Sequence, residues 1–546
     1  MFSWINKLDR KPDHPMSDVE TAQALLADLP GDNPLKALEE VTAWLDSFKD
    51  TPGFRLNRRF AVARLLDETG RQFYAALLRQ YLAEPHLQDF HGMRLWRVCH
   101  AFVKTMAETY AVCVNEYQHE EKKPPDIREQ MPVICVRLLH VLAECMKLDL
   151  MRYIEVEQAV WDDLFRYYRY TEESGFAEAM VLAYPGQVIH GNAQREFLCA
   201  LVLHISSPDT LAPDQIEGCY RIATRMVSFF DFKPTAHDEC TYFVDLAHPA
   251  APEPLDYKPA FTADMRCFGA TRAISRLAEI INQNEPGPLD AGQRIGNEFT
   301  PDGKLTLLKH LQLYWGKELP QRRRKRKGVN ATIKVVHGFK IISHLVAHIE
   351  LGQMVNLSEE DAAKLKIQSS TIGIADEDID YSAEDWPILD LSNGGIGGIL
   401  PRTVGKWVKI GALCGISDQK AELWWVGMFR RLHTDAQDKM HFGIEVLARK
   451  PLSVWLRILG KGTERVSNWE TSSGSFNYDY LRVILLPDAQ NSYLNATMLM
   501  EAHSFVPECI YEMLMGENSR FVKLTKLLEE GDDYERVNFE WLESAE

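Results

Sequence analysis

Several things are missing from this 546-residue sequence, and each absence removes a class of explanation. No apolar h-region follows the start "MFSWINKLDRKPDHP", so it does not read as a secretory signal. No apolar run approaches the roughly 18 residues needed to cross a bilayer, and no membrane span is expected. Ten cysteines are scattered without a single CxxC pair, and most sit in apolar helical surroundings such as "MPVICVRLLHVLAECMKL". That pattern suits buried, reduced thiols and a cytoplasmic location. Positive charge is in deficit: 61 Lys and Arg stand against 78 Asp and Glu, for a net charge of −17. A general nucleic-acid binder is normally basic over a whole face, so such a partner is not expected.

Catalytic signatures are missing too. The glycine-rich stretch "LDLSNGGIGGIL", 389–400, is not a dinucleotide fingerprint, because Leu400 stands where the third glycine is needed. Around Gly405 and Lys406 a Walker loop fails, since Trp407 replaces the hydroxyl residue. A nucleophile elbow at Ser392 would need glycine at position 390, which is Asp390. "HDEC", 237–240, has metal-friendly letters with nothing nearby in sequence to complete a site. The sequence therefore reads as a non-enzyme with no catalytic residues, no metal and no cofactor.

What is present divides by texture. Residues 1–283 carry apolar positions at helical spacing, broken at clusters such as "EEKKPPD" and "YPGQ", and read as a helical domain. Ser17 with Glu20 forms the expected capping box of the first helix. Residues 284–318 read as a linker followed by a connecting helix. From 319 to 463, short β-branched and aromatic runs separated by turn residues suggest a small antiparallel barrel, interrupted by a helical insertion at about 345–388. "DEDIDYSAEDWP", 376–387, reads as an exposed acidic loop. Residues 464–546 form a second β-rich region. The expected class is α+β multidomain: a helical N-terminal bundle, an antiparallel β-barrel and a C-terminal β-rich extension.

Two motifs carry chemistry. "QRRRKRKGVN" concentrates six cations at 322–327 and contains Arg-x-x-x-Arg at Arg322 and Arg326, with Arg323 between them. "DLSNGG" supplies Asp-x-Ser-x-x-Gly at Asp390, Ser392 and Gly395, with Gly394 in the turn. Alone, the first is a solvated charge cluster and the second a hairpin turn. Together, in this order and within a barrel-like pattern over about 320–460, they resemble the signature of the PilZ domain, a bacterial receptor for the second messenger cyclic di-GMP. The resemblance implies a PilZ-like barrel in which Arg322, Arg323 and Arg326 clamp guanine and phosphate from a segment preceding the first strand. Asp390 and Ser392 would read guanine and phosphate from the barrel face, with Gly394 and Gly395 shaping the turn.

The chemistry suits those residue types. A guanidinium fork matches guanine O6 and N7 or phosphate oxygens bidentately, which a lysine cannot do. A carboxylate accepts from guanine N1–H and N2–H₂, and a hydroxyl beside free backbone N–H groups cradles phosphate. The expectation is a cytoplasmic nucleotide-binding receptor that orders the 316–328 segment on ligand and relays the signal by domain rearrangement or through a protein partner on the helical N-terminal domain. Two alternatives stand beside it: a nucleic-acid-binding protein using the basic run, or a scaffold whose PilZ-like domain no longer binds.

Overall fold

The computed structural model describes residues 12–83, 90–120, 123, 125–188, 190–255, 261–284, 301–318, 320, 327–354, 381–392, 394–401, 405, 407–418, 423–458, 480–488, 492–515 and 518–543. The chain forms two compact units, Met1–Gln321 and Arg322–Glu546.

The first unit begins with the helices α1 (Val19–Ala27), α2 (Pro34–Lys49), α3 (Leu56–Ala83), α4 (Phe90–His119), α5 (Pro125–Leu150), α6 (Gln158–Glu173), α7 (Ala193–Ile205) and α8 (Pro213–Met226). Caps fix several starts. Asp18, not Ser17, caps α1, accepting the Thr21 N–H at 3.0 Å while Thr21 Oγ1 accepts the Asp18 N–H at 3.3 Å. A carboxylate caps as well as a hydroxyl and adds favourable charge at the positive helix end, which explains the one-residue shift. Pro34 and Pro213 open α2 and α8, where a missing N–H costs nothing. From Ile134 onward α5 is buried on nearly every face, so it is the helix around which the others gather.

That burial takes charges inside, and they are paired. Arg137 is fully buried and donates to the Ala183 carbonyl at 2.7 Å, to Glu68 at 2.5 Å and to Asp67 at 3.4 Å. Arg71 bridges Asp67 at 3.0 Å and Glu144 at 3.2 Å, and also donates to the Tyr184 hydroxyl. Leaving any of these charges unpaired would be far more costly than the network itself.

The N-terminal region is mainly helical, as expected, and also carries a small sheet: β1 (Asp231–Lys233), β2 (Tyr242–Asp245), β3 (Glu253–Pro254) and β4 (Met265–Gly269) form four strands in the order β1-β4-β2-β3. Strands of two to five residues are too short for an alternating pattern to emerge in sequence. Of the expected linker and connecting helix at 284–318, residues 285–300 lie outside the described residues. After α9 (Thr271–Asn284), α10 (Pro301–Tyr314) packs on α9 and α8 within the first unit. The following Trp315 is fully buried, donates from Nε1 to Ser206 Oγ at 2.8 Å, and meets the Phe230 ring at 5.1 Å.

The cysteines also depart from expectation in one place. Eight are free, and seven of those are buried, as expected. Cys240, just ahead of β2, and Cys267, on β4, are joined as a disulfide with Cα atoms 5.8 Å apart. The antiparallel β2–β4 pairing brings them together across 27 residues, a proximity invisible to spacing rules.

The second unit holds two closed antiparallel barrels. The first comprises β5 (Lys327–His337), β6 (Glu384–Ser392), β7 (Gly395–Pro401), β8 (Leu413–Asp418), β9 (Trp424–Thr434) and β10 (Lys439–Ala448), in the order β10-β7-β6-β5-β8-β9. The second comprises β11 (Leu452–Ile458), β12 (Tyr480–Leu486), β13 (Thr497–Glu501), β14 (Ile510–Met515), β15 (Asn518–Glu530) and β16 (Tyr534–Leu542), in the order β11-β12-β13-β16-β15-β14. The division between barrels thus falls between Ala448 and Leu452, ahead of the expected 463, because β11 pairs with β12 and β14. Trp386, fully buried within "DEDIDYSAEDWP", belongs to β6, so the end of that stretch is strand and not exposed loop.

The helical insertion has a defined role. α11 (Phe339–Met354) starts directly after β5 and buries Phe339, Ile342, Leu345 and Val346 along one face. These join one core with Val426 and Met428 of the first barrel and Ile484, Leu486 and Leu499 of the second. The helix therefore seals the two barrels together. Asp533 Oδ2 accepts the Phe339 N–H at 2.6 Å at its start, and Lys340 pairs with Glu501 at 3.0 Å. Of the expected insertion, residues 355–380 lie outside the described residues.

Candidate ligand site

Position 326 and position 390 are 64 residues apart in sequence, yet the strand that begins at Lys327 and the strand that carries Asp390 are neighbours in the barrel. β5 and β6 pair antiparallel, so the beginning of one meets the end of the other. Lys327, the last residue of the basic run, lies opposite Leu391, and Gly328 lies opposite Asp390. The insertion therefore leaves the start of β5 beside the second motif. Arg322, Arg323 and Arg326 themselves lie outside the described residues. Their chain enters the barrel at the strand position facing the second motif.

Asp390, Ser392, Gly394 and Gly395 share one hairpin, β6–β7, whose register pairs Asp390 with Gly397 and Ser392 with Gly395. The Ser392 hydroxyl closes the turn: it donates to the Gly395 carbonyl at 3.3 Å and accepts the Gly394 N–H at 3.4 Å. The Gly394 carbonyl accepts the Val446 N–H of β10 at 3.1 Å, fixing the turn to the barrel wall. Asp390 is half-buried, and Gly394 is exposed.

Residues directly opposite in an antiparallel pair project to the same face. Asp390 is opposite glycine on both sides, Gly328 on β5 and Gly397 on β7. Neither of the two residues directly opposite it therefore carries a side chain. A Cβ added at Gly328 would meet only the Leu389 carbonyl, at 4.0 Å. The ladder is irregular at the same level, with register shifts between Gly328 and Ala331 and between Ile388 and Asp390. Asp390 therefore sits half-buried between two glycines, at an irregular level of the sheet.

One cation at this hairpin was not legible in the sequence. Arg449 follows β10, donates to the Ser392 carbonyl at 2.9 Å, and lies over the Trp425 ring with its guanidinium 4.2 Å from the ring centroid. The Arg449–Trp425 pair brings positive charge and an aromatic face to the second motif. Its only sequence signal is a basic residue at the end of a strand, which means nothing until the β9–β10 register places Ala448 opposite Val426.

Comparison with known families adds independent evidence from outside this site. Residues 20–236 match the domain described as the N-terminal domain of the cyclic-di-GMP receptor FimW. Residues 470–542 match the FimW C-terminal beta-barrel domain. The chain belongs to this cyclic-di-GMP receptor family. The matches together take in more than half of the sequence, and they flank the PilZ-like barrel from both sides. The helical half, which the PilZ resemblance does not reach, is thus a FimW-family domain in its own right. No match was found among the curated proteins or among the solved structures. Among the described residues, no helix is long and apolar enough to cross a membrane.

Proposed function

We propose that this chain is a non-enzymatic, cytoplasmic receptor for cyclic di-GMP whose binding site is centred on Asp390. In this reading Asp390 accepts from a guanine N1–H and N2–H₂, while Arg322, Arg323 and Arg326 reach guanine and phosphate from the chain entering β5. Ser392, Gly394 and Gly395 offer a hydroxyl and backbone N–H groups to the second phosphate side, with Arg449 adding charge beside them. The observation that carries this reading is the register that sets Asp390 between Gly328 and Gly397, one residue along β5 from Lys327, the last residue of the basic run. The family match supports the ligand class.

The relay follows from where the run lies. The boundary between the two compact units falls between Gln321 and Arg322, inside "QRRRKRKGVN". A ligand that engages Arg322 and Arg326 changes the 316–328 segment that connects the units, and the FimW-family helical unit then presents an altered surface to a protein partner. Titration calorimetry with cyclic di-GMP on the full chain tests the first step. Micromolar or tighter binding is expected, and Arg326→Ala is expected to abolish it. A silent titration of the well-folded wild-type chain overturns the reading. Steep loss of affinity with salt, together with duplex DNA or RNA competing for the site, would instead favour a polyanion partner.

A further inference from the structure

The small sheet of the helical unit brings together side chains that the ligand reading leaves unused. His237 and Cys240 are three residues apart on a tight turn closed by the Cys240 N–H donating to the His237 carbonyl at 3.0 Å. That turn directs the two side chains to one side, where Cys267 arrives on β4. His237 Nδ1 lies 2.7 Å from Cys240 Sγ and 3.8 Å from Cys267 Sγ. A ligand-type atom from each of the three lies within 4.8 Å of the other two. Both cysteines are buried.

Packing fixes this arrangement. A Cβ built at Gly269, two residues beyond Cys267, would lie 1.8 Å from the Glu239 carbonyl oxygen. Only glycine lets β4 run this close under the His237–Cys240 turn. The histidine also has an unmet need: its Nε2 is buried and makes no hydrogen bond. The carboxylates of Asp231 and Glu239 stand within 4.8 Å of a His237 ring nitrogen. Metal-bound imidazoles almost always donate their second N–H to a carboxylate or carbonyl. A disulfide alone explains neither an imidazole nitrogen aimed at both sulfurs nor acids gathered around that imidazole.

We propose that His237, Cys240 and Cys267, when the cysteines are reduced, form a binding site for a soft divalent cation of the zinc class. Two thiols lose their protons to water. Two thiolate sulfurs and the neutral Nδ1 then donate three electron pairs to the ion, and a carboxylate or water takes the fourth tetrahedral position. Cys267 Sγ lies 3.0 Å from the Thr235 carbonyl, a contact in which the reduced thiol can donate and the metal-bound thiolate cannot. The site would staple the 231–245 segment to β4, a structural role in a sheet whose strands are too short to hold themselves.

The test uses the full chain, reduced with a phosphine, which takes the disulfide to two thiols and becomes the phosphine oxide with water as oxygen source. After removal of excess phosphine, Co²⁺ is titrated as the spectroscopic probe. One equivalent is expected, with the thiolate-to-cobalt charge-transfer band and the visible bands of a tetrahedral ion, and Zn²⁺ is expected to displace it. Cys267→Ser and His237→Ala are each expected to lose that equivalent. Retention of the same spectrum by Cys267→Ser overturns the assignment, as does a reduced wild-type chain that shows no thiolate band. Should a variant fail to fold, alkylation of the wild type decides: Zn²⁺ is expected to slow modification of Cys240 and Cys267 at least tenfold, and equal rates with and without Zn²⁺ overturn the proposal. None of these readouts depends on cyclic di-GMP binding.

Discussion

Asp390→Asn separates recognition from folding more cleanly than any other change at the site. The amide has nearly the volume of the carboxylate, so the hairpin pairing of Asp390 with Gly397 and Gly328 is retained. The chemistry is inverted on one side. Guanine N1–H and N2–H₂ are both donors, and asparagine meets one of them with an acceptor and the other with its own NH₂. A charge-assisted hydrogen bond becomes neutral, and a second is replaced by a donor facing a donor. Hydrogen bonds to charged groups contribute about 1.5–3 kcal/mol each, so a net loss of about 2–3 kcal/mol is expected. That corresponds to a fall in affinity of roughly 30- to 150-fold. Titration calorimetry with cyclic di-GMP measures it, and a thermal melt run in parallel should show a midpoint within a degree or two of wild type. If Asp390→Asn binds within threefold of wild type, the carboxylate does not read guanine and Asp390 is not part of the site.

Three further changes probe the site and its support. Gly328→Val places a β-branched side chain beside Asp390 at a position with open space, so the barrel should melt normally while cyclic di-GMP affinity falls at least tenfold; unchanged affinity would remove the argument from the flanking glycines. Asp533→Ala takes away the acceptor of the Phe339 N–H at the start of α11 and is expected to cost about 1 kcal/mol, read as a midpoint lowered by about 2–4 °C. The third perturbation is pH. Burial opposes ionisation of Glu144, but Arg71, His140 and Lys147 outweigh it and hold its carboxyl below the ordinary range. Its folded pKa is thus depressed, so its stabilisation is complete above the unfolded value of about 4.3 and is lost as pH falls through the folded value. Melts between about pH 7 and about pH 3.5 should show the helical unit losing stability below about pH 4.5, with a shallower acid slope in Glu144→Gln.

What could be read in the sequence was whatever depends on local order. Helical spacing marked the first unit, β-branched runs marked the barrels, and the order of Arg-x-x-x-Arg and Asp-x-Ser-x-x-Gly pointed to the receptor class. What could not be read depends on register. The glycines beside Asp390 lie 62 positions back and 7 forward in the chain, and only the β5–β6 and β6–β7 ladders align them. Arg449 reaches Ser392 for the same reason. "HDEC" lacked a partner until β4 supplied Cys267. The cap of α1 shifted by one residue because Asp and Ser are near-equal caps, which sequence alone ranks poorly.

The relay is the part of the proposal most open to a decisive experiment, because few residues of sequence separate the buried Trp315 from the start of β5. On one side Trp315 is buried against Ser206 and Phe230 in the helical unit. On the other, Lys327 is the first paired residue of β5. A ligand that binds two arrangements of this segment equally would shift nothing, however tightly it held. In the proposed relay its contacts differ between arrangements, and that difference is what would reach the helical unit. Inserting six Gly and Ser residues between Gln321 and Arg322 adds slack, up to roughly 20 Å of reach, without touching the barrel. Cyclic di-GMP affinity should stay within about threefold of wild type. Ligand-dependent changes in amide exchange in α9 and α10, expected in the wild type, should disappear. If the inserted chain shows the same changes as the wild type, the signal does not travel through the basic run.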